Sequence, residues 1–104
     1  MVDAFERFDS RTVTVGLTEE AFPSPTHQDV VPQAYRILIQ APSTNSVDVY
    51  FGKTGTLADG SNGGIGVMPG QIGYSPFARD EDLIAIASST GQKLIITYLD
   101  EKYI

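Results

Sequence analysis

Apolar and polar residues alternate with a period of two along much of this chain, in short runs separated by Gly, Pro, Ser and Asn. Period two is strand periodicity, because successive side chains of an extended backbone point to opposite faces. Arg11 to Leu17 (RTVTVGL) alternates Thr with Val and predicts a strand. Ala34 to Ala41 (AYRILIQA) predicts a second, with Tyr35, Ile37 and Ile39 on one face and Arg36, Leu38 and Gln40 on the other. Val47 to Gly52 (VDVYFG) predicts a third. The link between these two, Pro42 to Ser46, is turn chemistry, short enough for them to pair as an antiparallel hairpin. Thr56 to Ala58 and Ile72 to Ser75 are shorter strand candidates, and Val67 to Gln71 reads as a turn led by Pro69 and Gly70.

The strongest pattern lies between Leu83 and Leu99 (LIAIASSTGQKLIITYL). Two β-favouring runs, Leu83 to Ala87 and Leu94 to Leu99, flank a polar, Gly-containing link, which predicts a β-hairpin. Its inner face is expected to carry Ile84, Ile86, Leu94, Ile96 and Tyr98. Leu83, Ala85, Ala87, Lys93, Ile95 and Thr97 then fall on the outer face. Ala85, Ala87 and Ile95 are too apolar for an ordinary solvated surface, so that face is a candidate subunit contact. On this reading Ala87→Arg disturbs assembly more than folding.

The first third of the chain is patterned differently. Phe5 and Phe8 are spaced for one face of a helical turn, and as large apolar residues they seek burial against the domain or a neighbouring subunit. Thr18 to Gln33 holds Pro23, Pro25 and Pro32 and keeps no period, so it predicts either a short edge strand near Val30 and Val31 or an arm. The expected organisation is an extended or loosely attached region, 1–33, followed by a β-domain, 34–104. The fold class is all-β, a small antiparallel sandwich or barrel with an extended N-terminal region.

Composition narrows the function classes. The chain has 104 residues, enough for one domain with a modest core. Its thirteen acidic and seven basic residues leave a net charge of −6, which argues against a nucleic-acid partner. It has no cysteine, so thiolate metal sites and disulfides are ruled out. No run reaches the roughly 18 apolar residues of a membrane-spanning helix, and the N-terminus lacks the apolar core of a secretory signal.

Candidate chemistry is thin. His27, the single histidine, sits among prolines with no oriented partner. There is no G-x-S-x-G nucleophile elbow. Gly60 to Gly66 (GSNGGIG) lacks the Lys-Ser/Thr ending and following helix of a phosphate loop. Asp59, Ser61 and Asn62, and separately Asp80 to Asp82, offer oxygens for a calcium ion but not at EF-hand spacing. Tyr35, Tyr50, Phe51, Tyr74, Phe77 and Tyr98 are candidates for a sugar-stacking platform, though core packing accounts for aromatics in a small β-domain. No cofactor, metal site or enzymatic activity is expected.

Residues 34–99 carry a further pattern. Ala41, Asn45, Val49, Tyr50 and Gly52 spell A-x-x-x-N-x-x-x-V-Y-x-G, and Pro69, Gly70 and Gln71 a P-G-(E/Q) turn. Leu83, Ala85, Ile86, Ala87, Ser88, Gly91, Gln92 and Leu94 then spell L-x-A-I-A-S-x-x-G-(Q/D)-x-L. This succession resembles small β-sandwich virion proteins of tailed bacteriophages. The resemblance covers about two-thirds of the chain and implies a non-enzymatic structural role. The implied protein decorates or cements the outer capsid shell, bridging subunits, with a fibre or tail module binding carbohydrate or receptor as the alternative. It would be made in the host cytoplasm and reside on the virion surface. The implied partners are the major capsid protein and further copies of this chain, with a trimer as the expected oligomer and neither nucleic acid nor membrane. Phe5, Phe8, Ala85, Ala87 and Ile95 are the candidate subunit-contact residues.

Overall fold

The computed structural model describes residues 8–23, 35–77 and 82–100. They form eight strands: β1 (Phe8–Val15), β2 (Glu20–Ala21), β3 (Tyr35–Gln40), β4 (Val49–Lys53), β5 (Ile65–Val67), β6 (Ile72–Tyr74), β7 (Leu83–Ala87) and β8 (Gln92–Asp100). A 3-10 turn, Ser61–Gly63, lies between β4 and β5. The strands make two four-stranded sheets, sheet A in the order β1-β8-β3-β6 and sheet B in the order β2-β7-β4-β5. The expected all-β sandwich is what the chain builds.

The strand order has a simple origin. Antiparallel pairs form between β1 and β8, β2 and β7, β3 and β6, and β4 and β5. The chain is thus one long hairpin, its tip at residues 54–64, rolled so that successive segments of the double ribbon fall in alternate sheets. Two further pairings, β3 with β8 and β4 with β7, stitch the rolled ribbon together. This is the wiring of a jelly roll.

Both hairpins expected from short links are therefore corrected. β7 and β8 lie in different sheets, as do β3 and β4. Their links are corners where the ribbon passes from one sheet to the other. Each corner is clasped by the link running beside it. At one, the Ala87 amide donates to the Gly16 carbonyl at 2.8 Å. At another, Ala41 bonds Gln71 at 3.0 Å and the Gly70 amide donates to Ala41 at 2.7 Å. Gly70 and Gly91 have φ near +86° and +75°, a region that Cβ-bearing residues avoid, so glycine suits the two tight corners. Among the described residues β4 and β5 alone pair across a sequential link, and that link is the longest Gly-rich stretch.

The reassignment reverses the faces of β7. Leu83, Ala85 and Ala87 point between the sheets, where they join Val15, Ile37, Ile39, Val49, Phe51 and Val67. Leu94, Ile96 and Tyr98 face them from sheet A, as expected. Phe51 sits at the centre, with the Phe22 and Phe77 rings 6.0 and 5.8 Å away. Burying an aliphatic side chain as large as Ile39, Leu94 or Ile96 contributes roughly 1.5–3 kcal/mol each, so this layer carries the fold.

The domain boundary expected at 33/34 does not follow the architecture. β1 pairs with β8 along its whole length, and Val15 is fully buried. β2, at Glu20–Ala21, is an edge strand inside the proline-rich stretch, ahead of the place expected for one. Val30 and Val31 lie outside the described residues. Thr56 to Ala58 is turn rather than strand, because Thr56 is turned down to donate its hydroxyl to the Lys53 carbonyl at 2.8 Å.

Candidate contact surface

The outer side of sheet A is built by parity from four strands. Ser10, Thr12 and Thr14 of β1 lie beside Thr97, Ile95 and Lys93 of β8. On the other flank of β8 stand Arg36, Leu38 and Gln40 of β3, and beyond them Ile72 and Tyr74 of the edge strand β6. β-branched Thr and Ile at these positions suit a pleated, half-solvated surface. Side-chain contacts confirm the shared face. Ser10 and Thr97 hydroxyls are hydrogen-bonded at 3.1 Å, and Lys93 Nζ donates to Thr14 Oγ1 at 2.8 Å. The Arg36 guanidinium lies 4.7 Å from the centre of the Tyr74 ring, a cation–π arrangement. Ile72 and Tyr74 remain 56% and 52% exposed, and Leu38, Ile95 and Leu99 are half-buried beside them. None of the outward positions named on this face is a carboxylate.

The outer side of sheet B is treated in the opposite way. Ile84 and Ile86 point outward from β7 yet are only 6% and 8% exposed. β7 lies between β2 and β4. Glu19, just before β2, accepts a hydrogen bond from the Gly55 amide, just after β4, at 2.8 Å. That bond is a strap across the outer side of β7. Thr56 folds onto Gly52, where an added Cβ would lie 2.5 Å from its hydroxyl oxygen, and onto Gly64, where one would lie 2.4 Å from its methyl. The Tyr50 ring rests against Gly60 and Gly66. The Gly-rich loop is therefore a lid on sheet B, and its glycines admit the close approach of Thr56 and Tyr50.

The motif residues behind the phage-protein resemblance are mainly structural. The side-chain amide of Asn45 pairs with the backbone of Lys93, accepting from its N–H and donating to its carbonyl, both at 2.8 Å. Gln92 Oε1 accepts from the Ser46 and Val47 amides, while its Nε2 donates to Ser46 Oγ and the Thr90 carbonyl. Both side chains are buried. Together they join the β3–β4 corner to the β7–β8 corner, replacing the ladder bonds that corner residues lack. Gln71 closes its own turn by accepting from the Met68 amide at 2.9 Å.

Of the candidate contact residues, Ala85 and Ala87 are 0% and 1% exposed between the sheets and are not surface. Ile95 does lie on the outer side of sheet A. Phe5 and the Phe8 side chain lie outside the described residues, as do His27, Asp80 and Glu81. The aromatic platform is dispersed: Phe51 and Tyr98 are core, Phe77 packs on the core, Tyr50 is under the loop, and Tyr74 stands on sheet A. The Tyr35 side chain is not described. Tyr98 donates its hydroxyl to the Pro23 carbonyl. Asp59 accepts from the Ser61 amide at 2.9 Å, and Ser61, through hydroxyl and amide, holds its carboxyl below the ordinary 3.8. Among the described residues no group of three or more His, Cys, Asp or Glu is placed to hold a metal ion, and no helix is long and apolar enough to cross a membrane.

The residues that sequence reasoning missed are Ile72, Arg36 and Lys93. Their joint position became visible only once β6, β3 and β8 were known to be neighbours. No family model and no curated protein matches this chain. Among solved structures, it is similar in fold to a chain of the Bacillus endospore appendages, described as a novel family of disulfide-linked pili. The identity is 11% and the TM-score 0.52, over 89% of this chain and 84% of that one. At that identity the likeness is one of fold.

Proposed function

We propose that this chain is a non-enzymatic virion structural protein that binds the outer capsid shell as a decoration or cement protein and bridges neighbouring subunits. The observation that carries the reading is the contrast between the two outer faces. On sheet B the outward Ile84 and Ile86 are buried and the 54–64 loop folds back onto β4, whereas on sheet A Ile72 and Tyr74 are more than half exposed. A face with exposed apolar residues along one edge and polar positions beside them suits protein contact. The resemblance of the Asn45, Pro69–Gln71 and Leu83–Leu94 motifs to phage virion proteins supports the location, and a jelly roll is a fold found in shell proteins among many others. Cryo-EM of intact particles tests it. The expected result is density for this sandwich in fixed ratio to the major capsid protein, and sandwich density confined to the tail overturns it.

A second reading, a subunit of a fibre or filament, is favoured by the fold likeness to a pilus chain. With no cysteine, this chain cannot be linked to its neighbours by disulfides as those pili are. In its receptor-binding form this reading predicts glycan binding that Tyr74→Ala removes, and a glycan array without hits counts against that form.

A further inference from the structure

We infer that Asn62, at the tip of the long hairpin, is a site of spontaneous deamidation whose rate is set by the loop's own hydrogen bonds.

The sequence supplies the reactive pair. Asparagine occurs at positions 45 and 62, and only Asn62 is followed by glycine. The amide nitrogen of a glycine has no Cβ beside it to hinder attack on the preceding side chain. Attack forms a bond from Gly63 N to Asn62 Cγ while the Cγ–Nδ2 bond breaks. The nitrogen gives up its proton and ammonia leaves, closing a five-membered succinimide. Water then adds to one of the two ring carbonyls and breaks its bond to the ring nitrogen. The product is aspartate or, with the main chain rerouted through the side-chain carbons, isoaspartate. Water is the only co-reactant.

The fold exposes this pair but holds it away from the reactive shape. Asn62 and Gly63 are both exposed in the 54–64 loop. Among the described residues Asn62 is the one non-glycine with positive φ, at 64° with ψ 33°. That left-handed backbone is one that asparagine tolerates better than most residues. Ring closure needs Cβ and the following nitrogen on the same side of the Cα–C bond, and at this ψ they lie on opposite sides. The side chain is also engaged, with Nδ2 donating to the Gly55 carbonyl at 2.9 Å. The Gly55 amide in turn donates to Glu19 at 2.8 Å. Attack therefore waits until the tip opens locally, which breaks the Gly55 bond and lets ψ turn.

The comparable positions are better protected. Asn45 is buried, precedes Ser46 and is bonded twice to the Lys93 backbone. Asp59 precedes Gly60, but the Gly60 amide donates to the Leu57 carbonyl at 3.0 Å, and Ser61 favours the unreactive carboxylate form of Asp59. Reaction at Asn62 also changes the loop. A carboxylate has no N–H to offer the Gly55 carbonyl and sets a negative charge against that oxygen, so the closed tip is disfavoured once the amide is lost.

The full chain is aged in mildly alkaline buffer, natively and in urea, and each site is followed by peptide mapping with isoaspartate-specific fragmentation. Residue 62 is expected to convert in the native chain well ahead of Asn45, at roughly a tenth or less of its rate in urea, because opening precedes attack. Glu19→Ala releases Gly55 and should raise the native rate about twofold or more while leaving the urea rate unchanged. Hydrogen exchange in β8, read on the same samples, should not change, which separates opening of the tip from unfolding of the sandwich. Asn62→Asp, made directly, should speed exchange at the Gly55 and Gly60 amides. Conversion at residue 62 no faster than at Asn45 overturns the site. A native rate equal to the urea rate overturns the control by the loop, as does a Glu19→Ala rate equal to the parent's or raised only together with exchange in β8. Unchanged exchange in Asn62→Asp overturns the effect on the tip.

Discussion

The two sheets share a core and a strand count, but their outer sides are finished differently. Sheet B has outward Ile84 and Ile86, which are buried, and beside them the 54–64 loop folds back onto Gly52 of β4, with the Gly55 amide bonded to Glu19. Sheet A has outward Thr, Ser and Lys along β1 and β8, and its apolar residues Ile72 and Tyr74 stay open at the β6 edge. The difference separates apolar residues that serve folding from those left over for contact. Apolarity alone does not make that distinction, since Ile86 is as apolar as Ile72. What distinguishes them is place: Ile86 is buried on the central strand β7, and Ile72 is exposed on the edge strand β6.

The largest effect that tests this contrast is a charge placed between the sheets against one placed outside. Ala87→Arg puts a guanidinium where the side chain is 1% exposed and should destabilise by on the order of 3–5 kcal/mol, leaving no cooperative transition in a denaturant melt. Ile95→Arg, on the outer side of sheet A, should stay within about 1 kcal/mol of the parent. This reverses the expectation that position 87 governs assembly.

Next come the corners. Asn45→Ala leaves the Lys93 amide and carbonyl without their partner, and Gln92→Ala does the same to the Ser46 and Val47 amides. Each should cost about 1–3 kcal/mol in chemical denaturation, because buried backbone groups are left unsatisfied. Removing both should cost less than the sum if the two residues act as one clasp.

The lid is tested by a cycle around Thr56. Gly64→Ala puts a methyl 2.4 Å from the Thr56 methyl and Gly52→Ala puts one 2.5 Å from its hydroxyl oxygen, so each should destabilise by roughly 1–3 kcal/mol. Thr56→Ser removes the methyl and keeps the hydroxyl. It should relieve Gly64→Ala and leave Gly52→Ala unrelieved, and equal relief of both would mean the loop does not pack in this way.

The smaller effects concern the strap and the loop turn. Glu19→Ala should speed hydrogen exchange at the Gly55 amide while lowering global stability by about 0.5 kcal/mol or less. Asp59 has its folded-state carboxyl lowered by Ser61, so the turn it caps is supported above the ordinary 3.8 and loses that support as pH falls through the lower folded value. An NMR titration should show Asp59 titrating below 3.8, with the Ser61 amide shift following it. Ser61→Ala should bring the carboxyl back toward 3.8.

Most strands were legible in the residues. The runs at 11–17, 34–41, 47–52, 72–75, 83–87 and 94–99 each overlap a strand of the fold, because alternation is local and survives any tertiary arrangement. Pairing was not legible. A link such as 88–91, with Gly91 at positive φ, is equally suited to closing a hairpin and to turning a corner between sheets. The strands that settle the matter, β1 for β8 and β2 with β4 for β7, lie far away in sequence. The inward face of β7 was misread for the same reason. Both of its faces are apolar, so period two offered two registers and the choice fell to Val49 and Phe51, which oppose Ala87 and Ala85.

By itself, then, the sequence determined the class of structure, the positions of most strands and the lack of thiol chemistry, since each depends on residue type and near neighbours. Tertiary structure decided sheet membership, the identity of the core face of β7 and the burial of Ile84 and Ile86. It also brought Arg36, Ile72, Tyr74 and Lys93 onto one surface. These depend on which distant segments meet, and rolling a single long hairpin about its Gly-rich tip places β1 beside β8 and β2 beside β7, as no local pattern specifies.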